Sequence, residues 1–131
     1  MKSLLEIYQN GSTSFEESCF RDQDGNEWSA EYLYKQVKLQ KLKVERVCLR
    51  HLNICCLPWS DGKICSIDDF LEHSVRISKS NHSIPIIMGW DGFIMDGWHR
   101  VCSAILAGET HIKAYRFEKY LEPETKGADN V

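Results

Sequence analysis

Within five consecutive residues, Asp96-Gly97-Trp98-His99-Arg100, the chain sets a carboxylate, an imidazole and a guanidinium around a glycine. Phosphate chemistry uses these groups. Arginine meets a phosphate with two parallel N–H donors, and histidine gives or takes a proton near neutral pH. Aspartate repels phosphate, but it can ligate Mg2+ or accept the proton of a substrate hydroxyl. A glycine lets a ligand come close to backbone amides. On this reading Asp96 and His99 are the candidate catalytic residues. Gly97, Trp98, His99 and Arg100 are the candidate nucleotide-binding residues, and Asp96 is the candidate metal ligand. Each has a plainer alternative. Asp96 can cap a helix, His99 can pack at a surface edge, Arg100 can pair with Glu72, and Trp98 can fill the core.

A strand end running into a helix start must position these groups. Pro85-Ile86-Ile87-Met88-Gly89 predicts a strand with proline first, where no ladder bond is lost. Asp91-Gly92 predicts a two-residue hairpin turn, since both positions tolerate positive φ, and Phe93-Ile94-Met95 is the return strand. Trp98, Val101, Cys102 and Ile105 recur at helical spacing. Gly108 suits the left-handed position that ends such a helix, and His111 to Phe117 reads as a closing strand. A helix that starts at Asp96-Gly97 has amides without intrahelical partners at the positive end of its dipole. That is a seat for phosphate or another anion.

Upstream the signals are more diffuse. Ser29 can cap a helix to about Lys38, with Tyr32, Leu33, Gln36 and Val37 on one face. Val44 to Leu49 is partly apolar on both faces and predicts a buried strand. Ser66-Ile67-Asp68-Asp69 starts another helix, and Ile67, Phe70, Leu71, Ser74, Val75 and Ile77 predict a core-facing stripe to about Ser80. Ser3 to Tyr8 has a short helical pattern, Asp24-Gly25-Asn26 reads as a turn, and Leu57 to Gly62 as a loop. Glu118 to Val131 is a polar tail. Helix and strand are mixed, giving an α+β or α/β class.

A chain of 131 residues with 43% apolar and 27% charged residues is expected to form one soluble globular domain. A net charge of −3 argues against bulk electrostatic binding to nucleic acid. No apolar run approaches the roughly 20 residues of a membrane span, and Glu6 falls where a signal peptide is apolar, so a cytoplasmic protein is expected. Cys19, Cys48, Cys55, Cys56, Cys65 and Cys102 then read as reduced thiols. With His51 and His73 they fit no structural zinc spacing, and no zinc is expected. Trp28, Tyr32, Tyr34, Trp59 and Trp90 would anchor a protein partner if exposed, though such residues more often fill a core.

The stretch Pro85 to Met88, the turn, Ile94-Met95-Asp96-Gly97-Trp98-His99-Arg100, then Ala104, Gly108, Ile112 and Tyr115, resembles the ParB/sulfiredoxin-like superfamily. There a PI-type strand, a glycine-arginine turn, a helix with small residues and a closing strand recur in this order. The resemblance covers roughly residues 44–117, with Asn53 to Trp59 at the leading strand and loop. Residues 1–43 would be an N-terminal extension and 118–131 a tail, within one domain, 1–131. It implies a small mixed sheet packed against helices and a nucleoside triphosphate, CTP or ATP with Mg2+, at the helix start. The implied activity is phosphoryl transfer or nucleotide hydrolysis. The alternative is a non-enzymatic protein- or DNA-binding regulatory module of a phage, prophage or mobile element. Trp98 stands where sulfiredoxins carry their cysteine, and Trp98 and His99 replace the acidic and first basic residues of partition proteins. The string is nearer the free-serine-kinase branch and small stand-alone bacterial or phage members.

Overall fold

The computed structural model describes residues 19–52 and 66–127. The expected Ser3–Tyr8 helix, the Leu57–Gly62 loop, the Asn53–Trp59 segment, Cys55, Cys56 and Cys65 lie outside the described residues. The described chain is α+β. A hairpin of β1 (Cys19–Arg21) and β2 (Glu27–Ser29) leads into α1 (Ala30–Leu39). Then follow β3 (Glu45–Cys48), a 3-10 turn, α2 (Ile67–Lys79), β4 (Ile86–Met88), β5 (Ile94–Asp96), α3 (Trp98–Leu106) and β6 (His111–Arg116). The larger sheet has the order β3-β6-β4-β5. β6 runs parallel to β4, while β3–β6 and β4–β5 are antiparallel.

This sheet is covered on both faces, and β4 shows why Ile86-Ile87-Met88 has no polar member: all three are buried. Ile86 and Met88 join Val47, Ile94, Val101, Ala104, Ile112 and Ala114 in the core on the α3 side. Ile87 faces the other way and meets Trp28, Leu33, Val37, Met95, Phe117 and Leu121 on the α1 side. Burying an aliphatic side chain of this size contributes about 1.5–3 kcal/mol. The residues upstream of 44 are therefore no mere appendage. Their described part, β1–β2–α1, supplies Trp28, Leu33 and Val37 to the second core cluster.

Several expectations change here. The tail is tied down as far as its described end: Trp28 Nε1 donates to Leu121 O (3.0 Å), Glu27 N to Thr125 O (2.8 Å), and Gly127 N to Asn26 Oδ1 (3.0 Å). β3 is an edge strand with only Val47 buried, because among the described residues no strand pairs with its outer side. The β4–β5 turn is wider than two residues. Gly89 N donates to Phe93 O and Gly92 N to Gly89 O, which leaves Trp90-Asp91-Gly92 as the loop, with Gly92 at φ +82°. The Ile67–Ile77 stripe does not face the core. α2 has no buried residue, Ile67 is 77% and Phe70 63% exposed. Amphipathic spacing marks one apolar face but not what covers it. Trp28 is buried, and Tyr32, Tyr34 and Trp90 pack partly buried against the α1-side core, so these aromatics are not exposed anchors; Trp59 lies outside the described residues.

Candidate functional site

The local chain dictates how β5 passes into α3. Gly97 is the N-cap residue at φ +113°, a left-handed conformation that L side chains rarely adopt. A Cβ there would stand 2.5 Å from Ile86 Cγ2 and 3.0 Å from Arg100 Nη2. Glycine is thus demanded by close packing against β4 and by its φ, whatever a ligand requires. Having no side chain, Gly97 also gives α3 no cap. The first ladder bond of α3 runs from Val101 N to Gly97 O (3.0 Å), so the amides ahead of Val101 lie outside that ladder.

Asp96 does not cap the helix either. Its Oδ2 accepts from Arg100 Nη2 at 2.6 Å, and Arg100 Nη1 donates to Tyr34 OH (2.8 Å) and to Pro85 O (2.9 Å). The pair is well enclosed, at 13% and 16% side-chain exposure. Arg100 therefore does not pair with Glu72, which instead accepts from Arg76 Nη2 at 2.7 Å. Burial pushes the Asp96 carboxyl up from its ordinary value, and the Arg100 charge and Tyr34 hydroxyl pull it partly back. Burial likewise raises Tyr34. The network joins α1, the start of β4, the end of β5 and α3.

His99 turns toward α2. Its Nε2 lies 2.8 Å from His73 Nδ1, with the ring centroids 5.1 Å apart and the ring planes 17° from parallel. Burial, then the charges of His73, Arg76 and Arg100, push His99 down to about 4. Burial and Arg76 lower His73, against the pull of Glu72 and Asp69. Both rings are neutral at pH 7.

These groups meet at a cleft of about 390 Å³ lined by Tyr34, Ser80, Asn81, Ile84, Asp96, Gly97, His99 and Arg100. Four of the expected site residues, Asp96, Gly97, His99 and Arg100, come together here. Trp98, expected among the nucleotide-binding residues, does not line the cleft; it packs partly buried against the α3-side core. A larger cleft of about 510 Å³ lies between β3 and the β4–β5 turn. Its acids and bases are mixed, with Arg116 Nε 3.7 Å from Glu45 Oε2, so greater size brings no matching chemistry.

The residues present fit Mg2+ poorly. Among the described residues Asp96 is the only carboxylate lining the cleft, and its Oδ2 accepts from Arg100. A cation there would share Asp96 with the Arg100 guanidinium, whose like charge disfavours it. Asp96 is better suited to fixing Arg100 than to holding metal or taking a proton. What remains is an α3 start whose first amides lie outside the helix ladder, beside a guanidinium held by Asp96, Tyr34 and Pro85 and the imidazole of His99.

Tyr34 and His73, considered above only as a partner anchor and a zinc ligand, are not residues the sequence points to at this site. Tyr34 lies 66 positions from Arg100, and no local pattern connects them. The four-residue spacing of Asp96 and Arg100 is a signal that was present, since helical neighbours at i and i+4 pair. Among the described residues no helix is long and apolar enough to cross a membrane. Compared with family models, curated proteins and solved structures, the chain gives no match.

Proposed function

We propose that this is a nucleotide- or phosphate-binding protein of the ParB/sulfiredoxin-like type, holding the phosphates at the start of α3. The observation that carries the reading is one cleft where an uncapped helix start meets Arg100 and His99. Backbone amides and the dipole supply attraction, while Arg100 presents a guanidinium whose orientation Asp96, Tyr34 and Pro85 hold. Such a seat suits a nucleoside triphosphate, CTP or ATP. Phosphoryl transfer or hydrolysis is the associated chemistry, because positioning and charge stabilisation are most of what it asks of a protein. His99 is the residue to give or take a proton; Asp96 acts through Arg100.

Isothermal titration with CTP, ATP, ADP and GTP, each with and without Mg2+, tests this. Binding of at least one at or below about millimolar affinity, roughly −4 kcal/mol, is expected. No heat with any of them overturns the reading. A second reading, a protein-binding regulatory module, draws on the exposed Ile67 and Phe70 of α2. In that case Ile67→Ser with Phe70→Ser abolishes partner binding and leaves nucleotide titrations unchanged. DNA binding has only family analogy behind it, and a gel shift at about 50 and 200 mM salt tests it.

A further inference from the structure

The His73–His99 contact borders the anion seat, yet holding a phosphate does not by itself require it. The nitrogens are 2.8 Å apart, so one proton lies between them, one ring donating and the other accepting. Such a pair can take one further proton intact, since an imidazolium goes on donating to its neutral neighbour. A second would set N–H against N–H and break it. Asp69, Glu72 and Arg76 face the pair from α2, and Arg100 faces it from α3. Glu72 already answers Arg76, and Asp96 at the end of β5 answers Arg100. An anion at the start of α3 adds negative charge that neither arginine has already matched.

We propose that the His73–His99 pair is the proton-binding part of the anion site, so that docking of a divalent oxyanion is coupled to uptake of one proton. His73 is the positioning residue: its Nδ1 accepts from the protonated His99 Nε2 and shelters that charge. This rests on the anion-site reading above. Before the anion arrives the pair is neutral at pH 7, His99 being held down to about 4 by burial and its neighbours' charges. Docking raises the pair's hold on a proton. By reciprocity, affinity then strengthens as pH falls, by about tenfold per pH unit for one proton.

The probe is inorganic sulfate, whose charge is constant over this range. It is titrated calorimetrically at several pH values between about 5 and 7 in buffers of different ionisation heat. The wild type is expected to take up close to one proton per sulfate. His73→Gln, whose carbonyl can accept from His99, keeps the pH dependence, and His73→Leu flattens it. Sulfate binding that is independent of pH, or a Leu variant as pH-dependent as the wild type, overturns this inference and leaves the anion site standing. No sulfate binding at any pH overturns both. Should the Leu variant not fold, the wild-type His99 ring, followed by NMR, must titrate at higher pH with sulfate than without; an unmoved ring overturns the proposal.

Discussion

Two helix starts in this molecule meet the same physical problem in opposite ways. α2 closes its own: Ser66 Oγ accepts from Asp69 N (3.2 Å), Asp69 Oδ2 accepts from Ser66 N (3.4 Å), and Asp68 and Asp69 add negative charge at the positive end. α3 brings no cap and no acid in its first turn, and its N-cap is a glycine in the left-handed region. Yet α2 buries none of its residues and α3 buries Val101 and Ala104. The helix that most needs local support has it, and the one anchored by the core does without. The α3 start, held by packing and without a side-chain cap, borders the cleft that carries Arg100 and His99.

Changes at each start should break this contrast unequally. The largest loss is expected from Arg100→Ala, which strands the enclosed Asp96 carboxylate: roughly 3–5 kcal/mol in urea denaturation. A loss under about 1 kcal/mol would mean that the network is not structural. Gly97→Val follows, at roughly 2–4 kcal/mol, from the positive φ and the collision with Ile86. A near-neutral result would show that the β5–α3 corner can relax. Acid comes next. His73 and His99 hold protons less tightly folded than unfolded, so the unfolded chain binds more of them as pH falls from about 6.5 toward about 4. Stability should drop across that window by on the order of 1–2 kcal/mol once solvent screening is allowed for, and His99→Gln should lessen the drop. The smallest effect belongs to Ser66→Ala, about 1 kcal/mol. It should appear as faster hydrogen exchange in the first turn of α2 and leave anion binding untouched.

Much of this contrast was legible before any coordinates. Pro85 to Arg116 announced itself because its signals are local: a proline at a strand edge, Gly92 in the turn, Gly97 and Gly108 at the two ends of α3, with φ values of +113° and +79°. Ser29 and Ser66 behave as the caps their positions suggest. What could not be read was anything made in three dimensions. Nothing near Arg100 names Tyr34 or the Pro85 carbonyl as partners, and nothing near His99 names His73. The apolar spacing of α2 does not reveal that this helix lies against α3 through an imidazole pair and leaves Ile67 and Phe70 exposed. The composition of Val44 to Leu49 could not distinguish an edge strand from a central one. Asp96, Gly97, His99 and Arg100 line one cleft, while Trp98 packs against the core on the α3 side.

The most direct test follows the backbone amides of both helix starts by NMR while inorganic phosphate is added. A saturable shift of the Trp98, His99 and Arg100 amides, with those of Ile67 to Asp69 unmoved, is the result expected of an open seat beside a closed one. Equal and unsaturable drift at both starts, or no change at α3, would contradict it.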